Sequence, residues 1–112
     1  MSTGRRGERA VAWRLRFRRW RILARNLRLG YDELDIVAIS PRGKTIAVIE
    51  VKASFGRWPT MDRIDAAKVH RLQRAADALP RHWRNNRRVR IDAALVNVKG
   101  LWSSIRMHEG IG

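Results

Sequence analysis

The sequence predicts an α/β sandwich built on a mixed central sheet of four to five strands. Three observations predict it: a helical apolar period near the N-terminus, three successive β-type runs after it, and a second helical stretch leading into a further β-run. Residues 5–19 alternate apolar and basic positions at helical spacing, with Glu8, Val11, Ala12 and Leu15 on one face. Residues 21–28 read as the first strand and 33–40 as the second. In the second, Leu34, Ile36 and Ala38 are expected on one face and Asp35, Val37 and Ile39 on the other. Pro41-Arg42-Gly43 marks a turn. Residues 44–52 form the third strand, apolar on both faces until its end, as befits a strand covered on both sides. Pro59-Thr60 breaks the chain, and a helix is expected over 62–79 with Ile64, Leu72, Ala75 and Leu79 on its apolar side. Pro80 and residues 82–88 read as a loop, 89–98 as the fourth strand and 102–108 as a short fifth. No repeat or linker divides the chain, so one domain is expected over 1–112. Its core lies at 4–98, with a short C-terminal strand or tail at 99–112.

Charge narrows the function classes. Lys and Arg number 25 against 10 Asp and Glu, a formal net charge of +15 that attracts polyanions, above all phosphate backbones. Arg dominates, and its planar fork suits bidentate phosphate contacts; an Arg-rich genome is the plainer source of the same bias. Charge by itself points to nucleic-acid binding and leaves catalysis open. No apolar run is long enough to span a bilayer, and Arg14, Arg16, Arg18 and Arg19 interrupt any signal-peptide core, so a soluble protein without membrane attachment is expected. Cysteine is absent, which excludes disulfides and thiolate metal sites and is compatible with the cytoplasmic location expected here.

The acids are few and gathered on neighbouring segments. Glu50 and Lys52 fall on one face at the end of the third strand, and Asp35 sits on the strand before it. Asp35, Glu50 and the Val51 carbonyl offer hard oxygen ligands suited to Mg²⁺, with Mn²⁺ as a substitute. Such a metal lowers the pKa of bound water, and Lys52 beside it orients that water or stabilises the transition state, which is phosphodiester hydrolysis chemistry. Glu-x-Lys is also met as a plain ion pair on solvated strands; the apolar β-branched run before Glu50 argues for a site, because an unpaired buried carboxylate is costly. Glu8, inward on its helix, is either a third acid of the site or a helix-terminus charge. The two carboxylates converge only if the hairpin register sets them opposite. A three-residue loop pairing Ser40 with Lys44 sets Asp35 opposite Ile49, so a four-residue loop or a β-bulge is expected instead. Lys68, four residues from both Ile64 and Leu72, either reaches the site edge or snorkels to solvent. Trp58 is a candidate platform for an unpaired base. Arg5, Arg6, Arg57, Trp58 and Lys68 are the expected nucleic-acid contacts.

Several segments carry a family resemblance: Gly4-Arg5-Arg6-Gly7-Glu8 with Ala10 and Ala12, Ile22-Leu23-Ala24-Arg25-Asn26, Glu33-Leu34-Asp35-Ile36-Val37-Ala38, and Val48-Ile49-Glu50-Val51-Lys52. Phe55-Gly56, Lys68, Arg71-Leu72, Ala75-Ala76 and Asp92 extend it. Over residues 4–98 the chain resembles the YraN-like family of predicted endonucleases, itself similar to archaeal Holliday-junction resolvases of the PD-(D/E)XK superfamily. The resemblance implies a restriction-endonuclease-like three-layer sandwich, with Asp35 and Glu50 as metal ligands, Lys52 as the catalytic lysine and Glu8 as an auxiliary acid; Glu33 matches a family acid as well. The chain departs at Asp32, where the family usually has glycine, and at Ala53-Ser54, where polar or basic residues often follow the lysine. The expectation is a Mg²⁺-dependent, structure-selective endonuclease acting on branched, flapped or single-stranded DNA, with a homodimer as one arrangement. The rival readings are a catalytically silent nucleic-acid-binding module and an interaction subunit of a repair or recombination complex.

Overall fold

The computed structural model describes residues 2–112. Helix α1 (Thr3–Phe17) starts at Ser2, whose side chain accepts the Arg5 N–H at 3.1 Å and so satisfies one of the free amides of the first turn. Val11, Ala12 and Leu15 are buried along the face the periodicity predicts. Arg19 takes a positive φ of 67°, and the Trp20 N–H closes back on the Leu15 carbonyl at 2.9 Å. Trp20 thereby folds onto the core rather than continuing the helix.

Strands β1 (Arg21–Leu29), β2 (Asp32–Ile39), β3 (Thr45–Phe55), β4 (Arg88–Lys99) and β5 (Trp102–His108) form one sheet in sequence order. All neighbours are antiparallel except β3 and β4, which run parallel from Thr45↔Arg88 to Phe55↔Val98. That parallel pair requires a long crossover. Helices α2 (Ala66–Asp77) and α3 (Arg81–Arg84) lie within it, after a 3₁₀ turn at Met61–Arg63. The architecture is therefore α/β with a mixed five-stranded sheet, and α1 and α2 pack with separate sets of buried strand residues. On the α1 side Val11, Ala12 and Leu15 meet Ile36, Ala38, Ala47, Ile49, Ala94 and Val96. On the α2 side Leu72, Ala75, Ala76 and Leu79 meet Val37, Ile39, Ile46 and Val48.

Three expectations are corrected. The helix expected over 62–79 is divided, because the Asp65 side chain accepts the Lys68 N–H at 2.8 Å and starts α2 afresh. Part of the stretch read as a loop after Pro80 is the single-turn α3, whose Trp83 packs on the α2-side core. Leu34 lies with Val37 and Ile39, not with Ile36 and Ala38. Strict alternation puts residues 34 and 37 on opposite faces, so the pleat slips between them. The slip is at Asp35: the β1–β2 ladder pairs Arg25 with Ile36 and Leu27 with Leu34 but skips Asn26 and Asp35, and Asn26 has a φ of 52°.

The hairpin between β2 and β3 decides the site. Its ladder runs from Ile39↔Ile46 to Ile36↔Ile49. The Ser40 N–H donates to the Thr45 carbonyl at 2.9 Å and the Thr45 N–H to Ser40 Oγ at 3.1 Å. The loop is therefore Pro41–Lys44, four residues, with Gly43 at φ 75°. This is the register that sets Asp35 across from Glu50.

Candidate active site

The β2–β3 ladder ends one residue short of the two carboxylates. Where the next rung falls, Asp35 Oδ2 accepts the Val51 N–H at 2.8 Å, a side chain standing in for a backbone partner. Asp35 is thereby held in the gap where the strands part. Burial, chiefly, and then the charge of Glu50 push its carboxyl up to about 7, although the Val51 N–H and Lys52 act in the opposite direction.

Glu50 is the most unusual group of the site. Its side chain is only 5% exposed, yet one oxygen carries all its pairing: Lys52 Nζ lies 3.4 Å and Lys68 Nζ 3.7 Å from Oε1. The second oxygen, Oε2, is buried with no hydrogen-bond partner among the described residues. A buried carboxylate oxygen without a donor is costly and uncommon. Lys52 reaches Oε1 along β3 and Lys68 reaches it from α2, so Glu50 is gripped from two elements. Of the two courses the sequence left open, Lys68 therefore takes the first, reaching the site edge, where its ammonium pairs with Glu50.

Glu8 approaches from the α1 side. Burial raises its carboxyl, the charges of Glu33 and Glu50 add to that, and Arg25 and the Asn26 side chain pull the other way. The approach is made possible by Gly7: a Cβ there would lie 2.6 Å from the Ala53 Cβ. Two small residues thus let the first turns of α1 close on β3 just past Lys52. Ala53, one of the departures from the family pattern, is the partner in this contact.

The expected nucleic-acid residues divide. Arg5 is exposed on α1. Arg6 donates from its guanidinium to the Gly100 carbonyl, which ties it to the β4–β5 turn. Arg57 and Trp58 line a groove beyond the end of β3 with Ser54 and Arg63, and one side of the Trp58 ring is covered by the Arg106 guanidinium at 4.0 Å from its centroid. Sequence reasoning missed Asn26, Gly7 and Arg106. Gly7 and Asn26 stand within the quoted family segments, but nothing local announces that Arg106 meets Trp58.

The donor set suits a divalent cation. Asp35 and Glu50 are hard oxygen donors at facing positions, and the orphaned Oε2 is what an ion of that kind satisfies. Among the described residues no group of three or more carboxylate, imidazole or thiol side chains converges as a metal cluster. The set nominated from the sequence holds two carboxylates and a backbone carbonyl, so this leaves it as it was. Among the described residues no helix is long and apolar enough to cross a membrane.

Comparison with known proteins places the chain. Residues 7–96 match the model of the uncharacterised protein family UPF0102. A UPF0102 protein of Sphingopyxis alaskensis is 43% identical over 97 residues, covering 85% of this chain and 81% of its own length. Another from Rhizorhabdus wittichii is 39% identical over 94 residues, covering 83% and 78%. One from Thermotoga neapolitana is 37% identical over 82 residues, covering 73% and 75%. With a family model matched over residues 7–96 and relatives covered over three quarters or more of their length, the chain belongs to the uncharacterised protein family UPF0102.

Proposed function

We propose that this protein is a divalent-metal-dependent endonuclease that hydrolyses phosphodiester bonds in branched, flapped or single-stranded DNA. The observation that carries the reading is Glu50: a buried carboxylate with one oxygen gripped by Lys52 and Lys68 and the other left without a donor. Asp35 and Glu50, with the Val51 carbonyl, would hold Mg²⁺, or Mn²⁺ in its place. When bound, the ion supplies an activated water and neutralises charge on the phosphate.

The protein's own groups do the rest. Lys52 is partly exposed at the rim and offers its ammonium to a non-bridging phosphate oxygen, where charge grows as the nucleophile adds. In the overall step a water oxygen bonds to phosphorus and the phosphorus bond to one sugar oxygen breaks. The proton lost by water balances the one gained by the leaving alkoxide. Glu8, with its carboxyl raised by burial, stands as an auxiliary acid on the far side of the gap. The net charge of +15 draws the polyanion to this edge. A cytoplasmic site of action fits such a substrate, and a two-fold pair of chains is the arrangement for cutting both strands of a junction.

The test is cleavage of labelled single-stranded, flap and four-way-junction DNA by wild type and Asp35→Ala, with Mg²⁺, Mn²⁺ or EDTA. Metal-dependent cutting by wild type alone is expected. Tight binding without cutting on every substrate and in every metal would return the protein to a binding module.

A further inference from the structure

The alternation of β3 continues past the proposed site. Its pairing with β4 is unbroken to Phe55, so Glu50, Lys52 and Ser54 occupy one face. Ser54 opens a groove of about 270 Å³ lined by Arg57, Trp58, Pro59, Thr60 and Arg63. One strand repeat separates Ser54 from Lys52, roughly 7 Å. That is the reach of a single nucleotide.

The lining has one chemical character. Arg57 and Arg63 are exposed and, with Arg106, form no ion pair with another described residue. Trp58 is part-buried and is braced by Arg106 on its ring. No lining residue is acidic; Asp62, next to the groove, accepts a hydrogen bond from the Thr60 hydroxyl. A braced indole among unpaired guanidiniums suits a flat π-system carrying phosphate. The volume lies near the lower end of ligand pockets, which begin at roughly 300 Å³, so it admits one ring system and excludes a base pair.

We propose that this groove binds one unpaired nucleobase beside the phosphate held at the Glu50–Lys52 edge. Trp58 is its stacking platform, and Arg57 and Arg63 hold the flanking phosphates. The substrate is then nucleic acid with an unpaired nucleotide next to the cut; a base inside continuous duplex is stacked on both faces and cannot enter. The proposal rests on the hydrolytic reading for its placement and deepens it by giving the unpaired nucleotide beside the cut its own binding groove.

Binding is measured in EDTA, so that cleavage plays no part, by fluorescence anisotropy of a labelled 12-nucleotide single strand and a blunt duplex of equal length. Wild type is expected to favour the single strand. Trp58→Ala weakens single-strand binding by about 5- to 150-fold and leaves duplex binding unchanged, while Trp58→Phe keeps most of it. Because Trp58→Ala also removes packing, Arg57→Ala/Arg63→Ala provides a second measure on exposed positions. It lowers the slope of log affinity against log salt for the single strand by about 1.4, the value for two lost phosphate contacts. Equal losses on both DNAs, or none on the single strand, would overturn the groove, whether or not wild type cuts DNA. Selective, Trp58-dependent binding by a protein that cuts nothing in any metal would overturn the hydrolytic reading and leave the nucleobase groove standing.

Discussion

Two buried carboxylates sit at neighbouring positions of the sheet and face opposite ways. Asp92 pairs in register with Ile49, the residue before Glu50. Asp92 is fully satisfied: the Arg90 guanidinium donates to both oxygens at 2.8 and 2.9 Å, and the Gly110 N–H donates to Oδ1 at 2.9 Å. Arg90 also reaches Glu109 at 3.4 Å and lies over the Trp20 ring. Glu50 is similarly buried, but only one of its two oxygens is paired. The contrast separates a carboxylate that holds structure from one left with a buried oxygen unpaired, the feature on which the proposed metal site rests. Asp92 closes the C-terminal segment onto the sheet, where the Ile111 N–H also bonds the Ile91 carbonyl at 2.8 Å. Glu50 instead keeps an oxygen unpaired at the point where two strands part. Buried polar groups are usually satisfied, so an exception calls for a reason such as an ion.

The comparison can be broken most directly at Asp92. Replacing it with Ala strands a part-buried Arg90 and releases the C-terminal segment, and should cost roughly 3 kcal/mol in urea unfolding. Glu50→Gln should behave oppositely. It removes a half-paired buried charge while Lys52 and Lys68 turn to solvent, so metal-free stability stays within about 1 kcal/mol of wild type. If the proposed function holds, cleavage by Glu50→Gln falls by at least about a hundredfold. A Glu50→Gln protein as unstable as Asp92→Ala would erase the distinction.

Asp35 sharpens the same contrast through pH. Its folded pKa of about 7 stands above the ordinary 3.8, so the folded state binds the proton more tightly than the unfolded state does. Its contribution is complete below pH 4 and is lost as pH rises towards 7. Metal-free protein should therefore be less stable at pH 8 than at pH 5, by about 2 kcal/mol after allowance for solvent screening. Asp35→Asn keeps an acceptor for the Val51 N–H without the charge and should flatten the profile in thermal melts. Adding Mg²⁺ at pH 8 should raise the melting temperature of wild type and not of Asp35→Asn.

The smallest expected effect concerns the approach of Glu8. Gly7→Ala places a methyl 2.6 Å from the Ala53 Cβ, and α1 must shift to relieve it. The overpacking should cost roughly 1–2 kcal/mol. An unchanged melting temperature would show that the close approach of α1 is not what holds Glu8 at the gap.

Local pattern carried most of the architecture. The period of α1, the apolar run of β3 and the β-branched character of β4 state their own structure, because each element buries a face that its spacing announces. The register of the β2–β3 hairpin was legible too, since setting Asp35 against Glu50 required a four-residue loop or a β-bulge, and the structure has the four-residue loop Pro41–Lys44. The misses were one local cap and contacts between distant segments. Asp65 started a new helix because its side chain took up a free amide of α2, and Leu34 changed sides because the pleat slips at Asp35. For Lys68 the sequence left two courses open, reaching the site edge or snorkelling to solvent, and the packing of α2 on the sheet decided for the first by bringing it to a buried carboxylate. The sequence by itself determined which groups are scarce enough to matter: few acids, on apolar strands, in a chain of net charge +15. Only the tertiary structure decided their condition, satisfied at Asp92 and orphaned at Glu50, because burial and donor supply depend on which distant segments arrive beside them.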